Sequence, residues 1–138
     1  MSERGTLRLL ILDDEPSFGI IVGRIAERSG WTVRSTTDVA SFQAQFSAER
    51  PDGIVLDLNL GATDGRAQLN FLHDAGFDGG IVLMSGSDES VLAAARELGR
   101  SLGLAVVGLI AKPTENEVIR DQLVGLAAYC ADRAVKSP

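Results

Sequence analysis

Five short segments with strand character alternate along this chain with longer segments whose apolar residues recur at helical spacing. Four of the short segments are nearly continuous apolar runs, too short for typical helices, as expected of strands buried in a parallel sheet. The fifth, residues 31–36, alternates and is rich in β-branched residues, which favours a strand near a sheet edge. Strands are predicted at residues 7–12, 31–36, 53–57, 81–84 and 104–110, and helices near residues 16–30, 38–50, 65–75, 88–102 and 114–132. This order predicts a three-layer α/β fold around a parallel sheet.

The length of the chain fits one domain. Its 138 residues can bury about two-thirds of the unfolded surface in a single core. Apolar residues make up 45% of the chain and aromatic residues 5%, which indicates a globular protein with an aliphatic core. We expect a single domain over residues 1–138, with a core of about residues 7–131 and frayed ends at residues 1–6 and 134–138.

Composition excludes several kinds of site and location. A single cysteine, Cys130, excludes an internal disulfide, and with the single histidine, His73, it excludes a Cys/His zinc site. No apolar run approaches the ~20 residues of a membrane span, and the amino terminus lacks a signal-peptide pattern. A net charge of −6 without a cluster of basic residues argues against direct nucleic-acid binding. We expect a cytoplasmic protein that binds neither nucleic acid nor membrane.

Polar side chains follow the central predicted strands at the point where each strand ends. These residues are Asp13 and Asp14, Asp57, Ser85 and Lys112. Each one has an ordinary explanation: the acids could favour helix starts or turns, the serine could be a turn residue, and the lysine could be a solvated charge. In a parallel sheet, however, the carboxyl ends of the strands share one edge, and sites form there.

Three carboxylates converging on one crevice would repel one another and raise some of their pKa values unless a cation neutralises them. A divalent cation held by oxygen ligands is the natural solution, and Mg²⁺ suits a partly hydrated site that also engages phosphate. The strand-end residues therefore predict a magnesium site.

Together these residues resemble the motif set of response-regulator receiver domains of two-component signalling, of the chemotaxis-regulator type. The resemblance rests on Asp13-Asp14, Asp57, Ser85-Gly86 and Lys112-Pro113, in this order, and extends from about Leu7 to Ala131. It implies a flavodoxin-like (βα)5 fold with a central five-stranded parallel sheet in the order 2-1-3-4-5.

The resemblance also implies a role for each site residue. Asp57 would accept a phosphoryl group from a histidine kinase or phosphotransfer protein. Asp13, Asp14, Asp57 and the backbone carbonyl of Asn59 would hold Mg²⁺. Ser85 would hydrogen-bond the phosphoryl group, Lys112 would pair with it, and the Lys112–Pro113 bond would be cis. No other cofactor is implied.

The implied function is a phosphorylation switch rather than an enzyme, with at most self-phosphorylation from small donors and autodephosphorylation. Phosphorylation would change a face made by the fourth helix, the fifth strand and the fifth helix. That face would bind a downstream effector or a second receiver in a homodimer.

The chain departs from the receiver pattern at two positions. Receivers usually place a tyrosine or phenylalanine three residues before the site lysine, whereas this chain has Leu109, and the segment from Gly103 to Lys112 is about two residues longer than usual. Receivers also commonly carry proline four residues after the phosphoacceptor, where this chain has Gly61. Asn59 and Ser87 occupy the variable positions that tune the lifetime of the acyl phosphate in the family.

Two other functions fit parts of the sequence. Leu109 and Gly61 are compatible with a constitutive protein-interaction module that keeps the receiver fold without using phosphorylation. A phosphatase of the haloacid-dehalogenase type also uses an aspartate at a strand end, but it usually has a second aspartate two residues later, where this chain has Asn59.

Overall fold

The computed structural model describes residues 6–60, 63–86 and 89–136. Strands and helices alternate as the sequence predicts, with one small addition after the third strand. The strands are β1 (Arg8–Leu12), β2 (Thr32–Thr36), β3 (Gly53–Asp57), β4 (Asn59–Leu60), β5 (Thr63–Asp64), β6 (Gly80–Ser85) and β7 (Ala105–Ala111). The helices are α1 (Pro16–Arg28), α2 (Val39–Ala48), α3 (Arg66–Asp74), α4 (Glu89–Ser101) and α5 (Asn116–Lys136).

The main sheet has five parallel strands in the order β2-β1-β3-β6-β7. Numbering only these five strands gives the expected order 2-1-3-4-5, so the predicted fold class is confirmed. The short strands β4 and β5 form a separate antiparallel ribbon in the loop after Asp57, which the sequence did not predict. The central position of β1, β3 and β6 explains why their residues read as continuous apolar runs.

The core has two layers, one on each face of the sheet. Side chains of successive strand residues alternate between the faces, so Ile54 and Leu56 of β3 join one layer and Val55 joins the other. The first layer packs against α2, α3 and α4, and the second against α1 and α5. Cys130 is buried in the second layer. His73 lies on the exposed side of α3, with its Nδ1 3.0 Å from the carbonyl oxygen of Leu102.

The edge strand β7 has a bulge in the segment before Lys112, which the sequence suggested to be longer than usual. Ile81 pairs with Val106, but its neighbour Val82 pairs with Gly108, so Val107 is left without a partner in the ladder. The side chain of Gln122 on α5 lies against the bulge, where its Oε1 accepts the N–H of Leu109 at 3.2 Å. A Cβ at residue 108 would lie 2.3 Å from the same oxygen, so a larger residue there would displace the Gln122 side chain from this position.

The carboxyl-terminal helix is longer than predicted. We expected it to end near Asp132, but α5 continues to Lys136. The predicted end was wrong because no glycine or proline lies between Asp132 and Pro138, and alanine and lysine favour helix. The expected fraying of residues 134–138 stays a prediction. Among the described residues, no helix has the length and apolar character that crossing a membrane requires.

Candidate functional site

The predicted site residues lie together at the carboxyl edge of the sheet. Asp13 directly follows β1, Asp57 and Ser85 end β3 and β6, and Lys112 directly follows β7. The backbone N–H of Lys112 donates to the carbonyl oxygen of Ser85 at 2.8 Å, which continues the pairing of β6 and β7 into the site. The parallel sheet thus brings together four chain segments that are far apart in sequence.

Two of the acidic side chains are buried in spite of their charge. Asp13 and Asp57 are each 1% exposed, whereas Asp14 lies at the surface. One carboxylate oxygen from each of these three residues lies within 4.8 Å of the others. Three converging carboxylates are the ligands that a hard divalent cation such as Mg²⁺ prefers, so the residues present fit the predicted metal.

The electrostatic environment of Asp57 also favours a bound cation. Burial raises the pKa of Asp57 to about 7, and the neighbouring Asp13 carboxylate contributes to the rise. The backbone N–H of Asn59, which donates to Asp57 Oδ1 at 3.0 Å, and the ammonium of Lys112 oppose it. Because these two partners do not fully compensate burial, the charged form of Asp57 is disfavoured, and a bound cation would stabilise it.

Lys112 reaches into the centre of the site through a cis Lys112–Pro113 peptide bond, as predicted. Its Nζ lies 3.1 Å from Asp13 Oδ2, 2.9 Å from Glu15 Oε1 and 3.3 Å from Asp57 Oδ2. It also lies 4.7 Å from the centre of the Phe18 ring on α1. Burial lowers the pKa of Lys112, but the hydrogen bond to Glu15 and the charges of Asp57 and Asp13 outweigh burial and raise it. Lys112 is therefore a charged ammonium that contacts both buried acids.

The side chain of Asn59 connects the loop after β3 to the end of β6. Its Oδ1 accepts the hydroxyl of Ser85 at 3.0 Å and the backbone N–H of Gly86 at 2.8 Å. The sequence had suggested two roles for Asn59, its backbone carbonyl as a metal ligand and its side chain as a variable position that tunes the acyl-phosphate lifetime, and both stay predictions. Ser85 is fully buried, and its hydroxyl points to Asn59 across the mouth of the site.

Sequence reasoning missed Glu15 and Phe18 as partners of Lys112. Both lie at the start of α1, three residues apart, so that one helical turn brings them to the same side. Together with Ser17 and Ile21 they line an open cleft of about 370 Å³ that leads to Lys112. The position of Glu15 within the acidic run before Pro16 was the available signal.

Of the two positions that depart from the receiver pattern, the structure describes Leu109 but not Gly61. Leu109 of β7 is half-buried and packs against the core layer formed with α2, α3 and α4. Its backbone is held by Gln122, as described above. Gly61 and Ser87 lie outside the described residues.

Gly65 lies so close to the backbone of Asp57 that it should tolerate no larger residue. A Cβ at this position would lie 2.6 Å from the carbonyl oxygen of Asp57 and 2.7 Å from the Cα of Leu58. We expect Gly65→Ala to lower the free energy of unfolding by about 1–3 kcal/mol, measured by chemical denaturation.

Gly125→Ala is the matched control, because residue 125 lies in α5 and its added Cβ would meet nothing within 4 Å. It should leave stability unchanged or raise it by up to ~1 kcal/mol. Equal stabilities of the two variants would contradict the close approach of Gly65 to Asp57.

Comparison with known proteins identifies the family. The sequence of residues 9–124 matches the family model of the response regulator receiver domain. Over 80 residues the chain is 32% identical to the nitrogen assimilation regulatory protein NtrX of Azorhizobium caulinodans, a stretch covering 56% of this chain and 18% of that protein.

Two solved structures have a similar fold. One is a response regulator protein from Burkholderia pseudomallei with a phosphorylated aspartic acid, a calcium ion and citrate. Its TM-score is 0.71 and its identity 26%, over 96% of this chain and 75% of that one. The other is a CheY-like response regulator receiver domain protein from Methanospirillum hungatei, with a TM-score of 0.79 and 18% identity, over 96% of this chain and 100% of that one. The family match spans most of the chain, and the fold agrees with it. The chain therefore belongs to the response regulator receiver domain family of two-component signalling.

Proposed function

We propose that this receiver domain is a signalling switch in which Asp57 accepts a phosphoryl group. The observation that carries the proposal is the contact of the buried Asp57 carboxylate with the Lys112 ammonium, beside Asp13 and Asp14. The phosphorylated aspartic acid in the Burkholderia pseudomallei protein supports the same chemistry.

In the proposed transfer, an oxygen of Asp57 forms a bond to phosphorus while the bond from phosphorus to the donor atom breaks. The donor is the imidazole nitrogen of a phosphohistidine, and the released imidazole keeps the electron pair of the broken bond and takes up a proton. The Asn59 N–H holds one oxygen of Asp57 and Lys112 contacts the other, so the carboxylate is oriented for attack.

Asp13, Asp14, Asp57 and the backbone carbonyl of Asn59 would hold Mg²⁺ beside the nucleophile. When bound, Mg²⁺ would neutralise charge on the carboxylates and the phosphoryl oxygens, which otherwise repel each other. Lys112 would pair with the transferred phosphoryl group, as ammonium groups do in other phosphoryl-transfer sites. Ser85 would donate its hydroxyl to the same group and would have to leave Asn59 to do so.

The proposed phosphodonor is a histidine kinase or a phosphotransfer protein, and the proposed output surface comprises α4, β7 and α5. Exposed apolar side chains on β7 and α5, including Val107 and Val124, support a protein partner there. The partner would be a downstream effector or a second receiver. Small donors would also phosphorylate Asp57, and water would remove the group by autodephosphorylation.

The leading alternative is a constitutive interaction module with a receiver fold. It is favoured by Leu109, which has neither a ring to rotate nor a hydroxyl to expose. Beryllium fluoride with Mg²⁺ mimics the acyl phosphate and separates the two functions. Partner capture that changes with beryllium fluoride supports the switch, and capture that is indifferent to it supports the constitutive module.

Phosphorylation should depend on a divalent cation. Incubation with acetyl phosphate and Mg²⁺ should add the mass of one phosphoryl group, because the cation stabilises the charged form of Asp57. Intact-protein mass spectrometry with and without EDTA measures this requirement. An equal mass gain in EDTA would contradict the proposed metal site.

A further inference from the structure

Lys112 is held by three carboxylates, and one of them lies outside the predicted set of site residues. A lysine ammonium has three N–H donors, and Asp13, Glu15 and Asp57 provide an acceptor for each. The shortest of the three contacts is the 2.9 Å contact with Glu15. In this state the ammonium has no donor left for a further acceptor.

The three acceptors differ in exposure. The side chains of Asp13 and Asp57 are 0% and 1% exposed, whereas the side chain of Glu15 is 66% exposed. If Lys112 leaves Glu15, water can solvate the free carboxylate at little cost, but a buried carboxylate that lost Lys112 would have no such compensation. Glu15 is therefore the contact that the ammonium can give up most easily.

The backbone of Glu15 is held in place, whereas its side chain is largely exposed. The Glu15 N–H donates to Asp13 Oδ1 at 2.8 Å, and Glu15 directly precedes α1. The Phe18 ring, one turn further along, lies against the same ammonium. Glu15 and Phe18 thus contact the same ammonium that contacts the two buried acids.

We propose that Glu15 is a positioning residue that holds Lys112 in the resting protein and releases it when Asp57 is phosphorylated. The proposal rests on the proposed function of Asp57. A phosphoryl group adds negative charge on the Asp57 side and draws the ammonium inward, away from Glu15. Glu15 competes with the phosphoryl group for Lys112 and thereby opposes phosphorylation.

Glu15→Gln removes the competing charge and keeps a side chain of the same size. At saturating Mg²⁺ it should raise the rate of phosphorylation by acetyl phosphate and the affinity for beryllium fluoride, each by about two- to fivefold. The ratio to wild type should approach one as the salt concentration rises, since an exposed charge is screened. Glu15→Asp, which keeps the charge, should stay closer to wild type.

Glu49→Gln is the matched control because it removes one partly exposed negative charge that pairs with Arg8, outside the site and the proposed output surface. It should leave both quantities unchanged. Equal effects of Glu15→Gln and Glu49→Gln, or a slower reaction in Glu15→Gln, would overturn the proposal.

The side-chain ammonium resonance of Lys112 tests the movement directly. The chain has two lysines, Lys112 and Lys136, so nitrogen-15 NMR of lysine side chains gives a simple spectrum. Glu15→Gln should shift the Lys112 resonance in the resting protein but not in the protein with Mg²⁺ and beryllium fluoride, in which the contact is already released. A shift of the same size in both states would show that Lys112 never leaves Glu15, and would overturn the proposal.

Failure of the proposed role of Asp57 and failure of the proposed role of Glu15 give different results. A wild-type protein that takes up no phosphoryl group and binds no beryllium fluoride contradicts the role of Asp57 itself. A wild-type protein that is modified at Asp57, with Glu15→Gln indistinguishable from it in rate and resonance, contradicts only the role of Glu15.

Discussion

Asp57→Asn is expected to abolish phosphorylation by acetyl phosphate in the presence of Mg²⁺. The variant keeps the size of the side chain and an oxygen that can accept the N–H of Asn59. It removes the anionic oxygen that would attack phosphorus and one of the three carboxylates that would hold the cation. Intact-protein mass spectrometry should detect no added phosphoryl group.

Asp38→Asn is the control for this variant. Asp38 caps α2 by accepting the N–H of Ser41 at 2.7 Å, and asparagine caps helices equally well. This variant should be phosphorylated like the wild type. Labelling that persists unchanged in Asp57→Asn would place the phosphoryl group on another residue.

Lys112→Met is expected to destabilise the resting protein by about 3 kcal/mol at pH 8 in buffer without divalent cations. The substitution leaves Asp13 and Asp57 buried without the cation that contacts both. The loss should be smaller at pH 5, because the raised pKa of Asp57 allows it to bind a proton in the folded state. The free energy of unfolding of Lys112→Met should therefore fall as pH rises from 5 through about 7, where the folded protein releases this proton. Chemical denaturation at the two pH values measures the effect.

Two variants control for the loss of Lys112. Lys136→Met removes the same charge near the end of the chain and should leave stability unchanged. Adding Asp57→Asn to Lys112→Met should recover much of the lost stability, since it removes one of the two buried charges. A Lys112→Met protein as stable as the wild type at pH 8 would show that Lys112 does not neutralise the buried acids.

Much of the fold could be predicted because the composition of each segment agrees with its place in the parallel sheet. The apolar runs at β1, β3 and β6 are buried on both faces of a parallel sheet, so their composition leaves few alternatives. The boundary residues Pro16 and Asp38 start α1 and α2 at the predicted positions. The ribbon of β4 and β5 was missed because two-residue strands have no periodicity to detect.

The sequence predicted which side chains come together in the candidate site. It did not predict which of them form hydrogen bonds or ion pairs with each other. Asp13, Asp57, Ser85 and Lys112 converge because parallel strands end at one edge, which follows from topology. The hydrogen bond from Ser85 to Asn59 and the pairing of Lys112 with Glu15 depend on side-chain rotamers and on loop geometry. Such details are set by tertiary packing, so residue spacing alone does not reveal them.

The bulge in β7 lies in the segment that the sequence suggested to be longer than usual. Val107 has no partner in the ladder there, and Gln122 accepts the N–H of Leu109 on the far side of the bulge. Lys112, which follows the strand, contacts Asp57. That Leu109 takes the place of an aromatic switch residue stays a prediction, and its half-buried packing gives a specific residue at which to test it.

Localising the phosphoryl group tests the central claim most directly. The protein is incubated with acetyl phosphate and Mg²⁺ and then treated with borohydride, which reduces an aspartyl phosphate to homoserine, and the peptides are sequenced by mass spectrometry. The account predicts homoserine at residue 57 and at no other aspartate, with none formed when the phosphodonor is omitted. Homoserine at Asp13 or Asp14, or a phosphorylated protein with residue 57 unmodified, would contradict it.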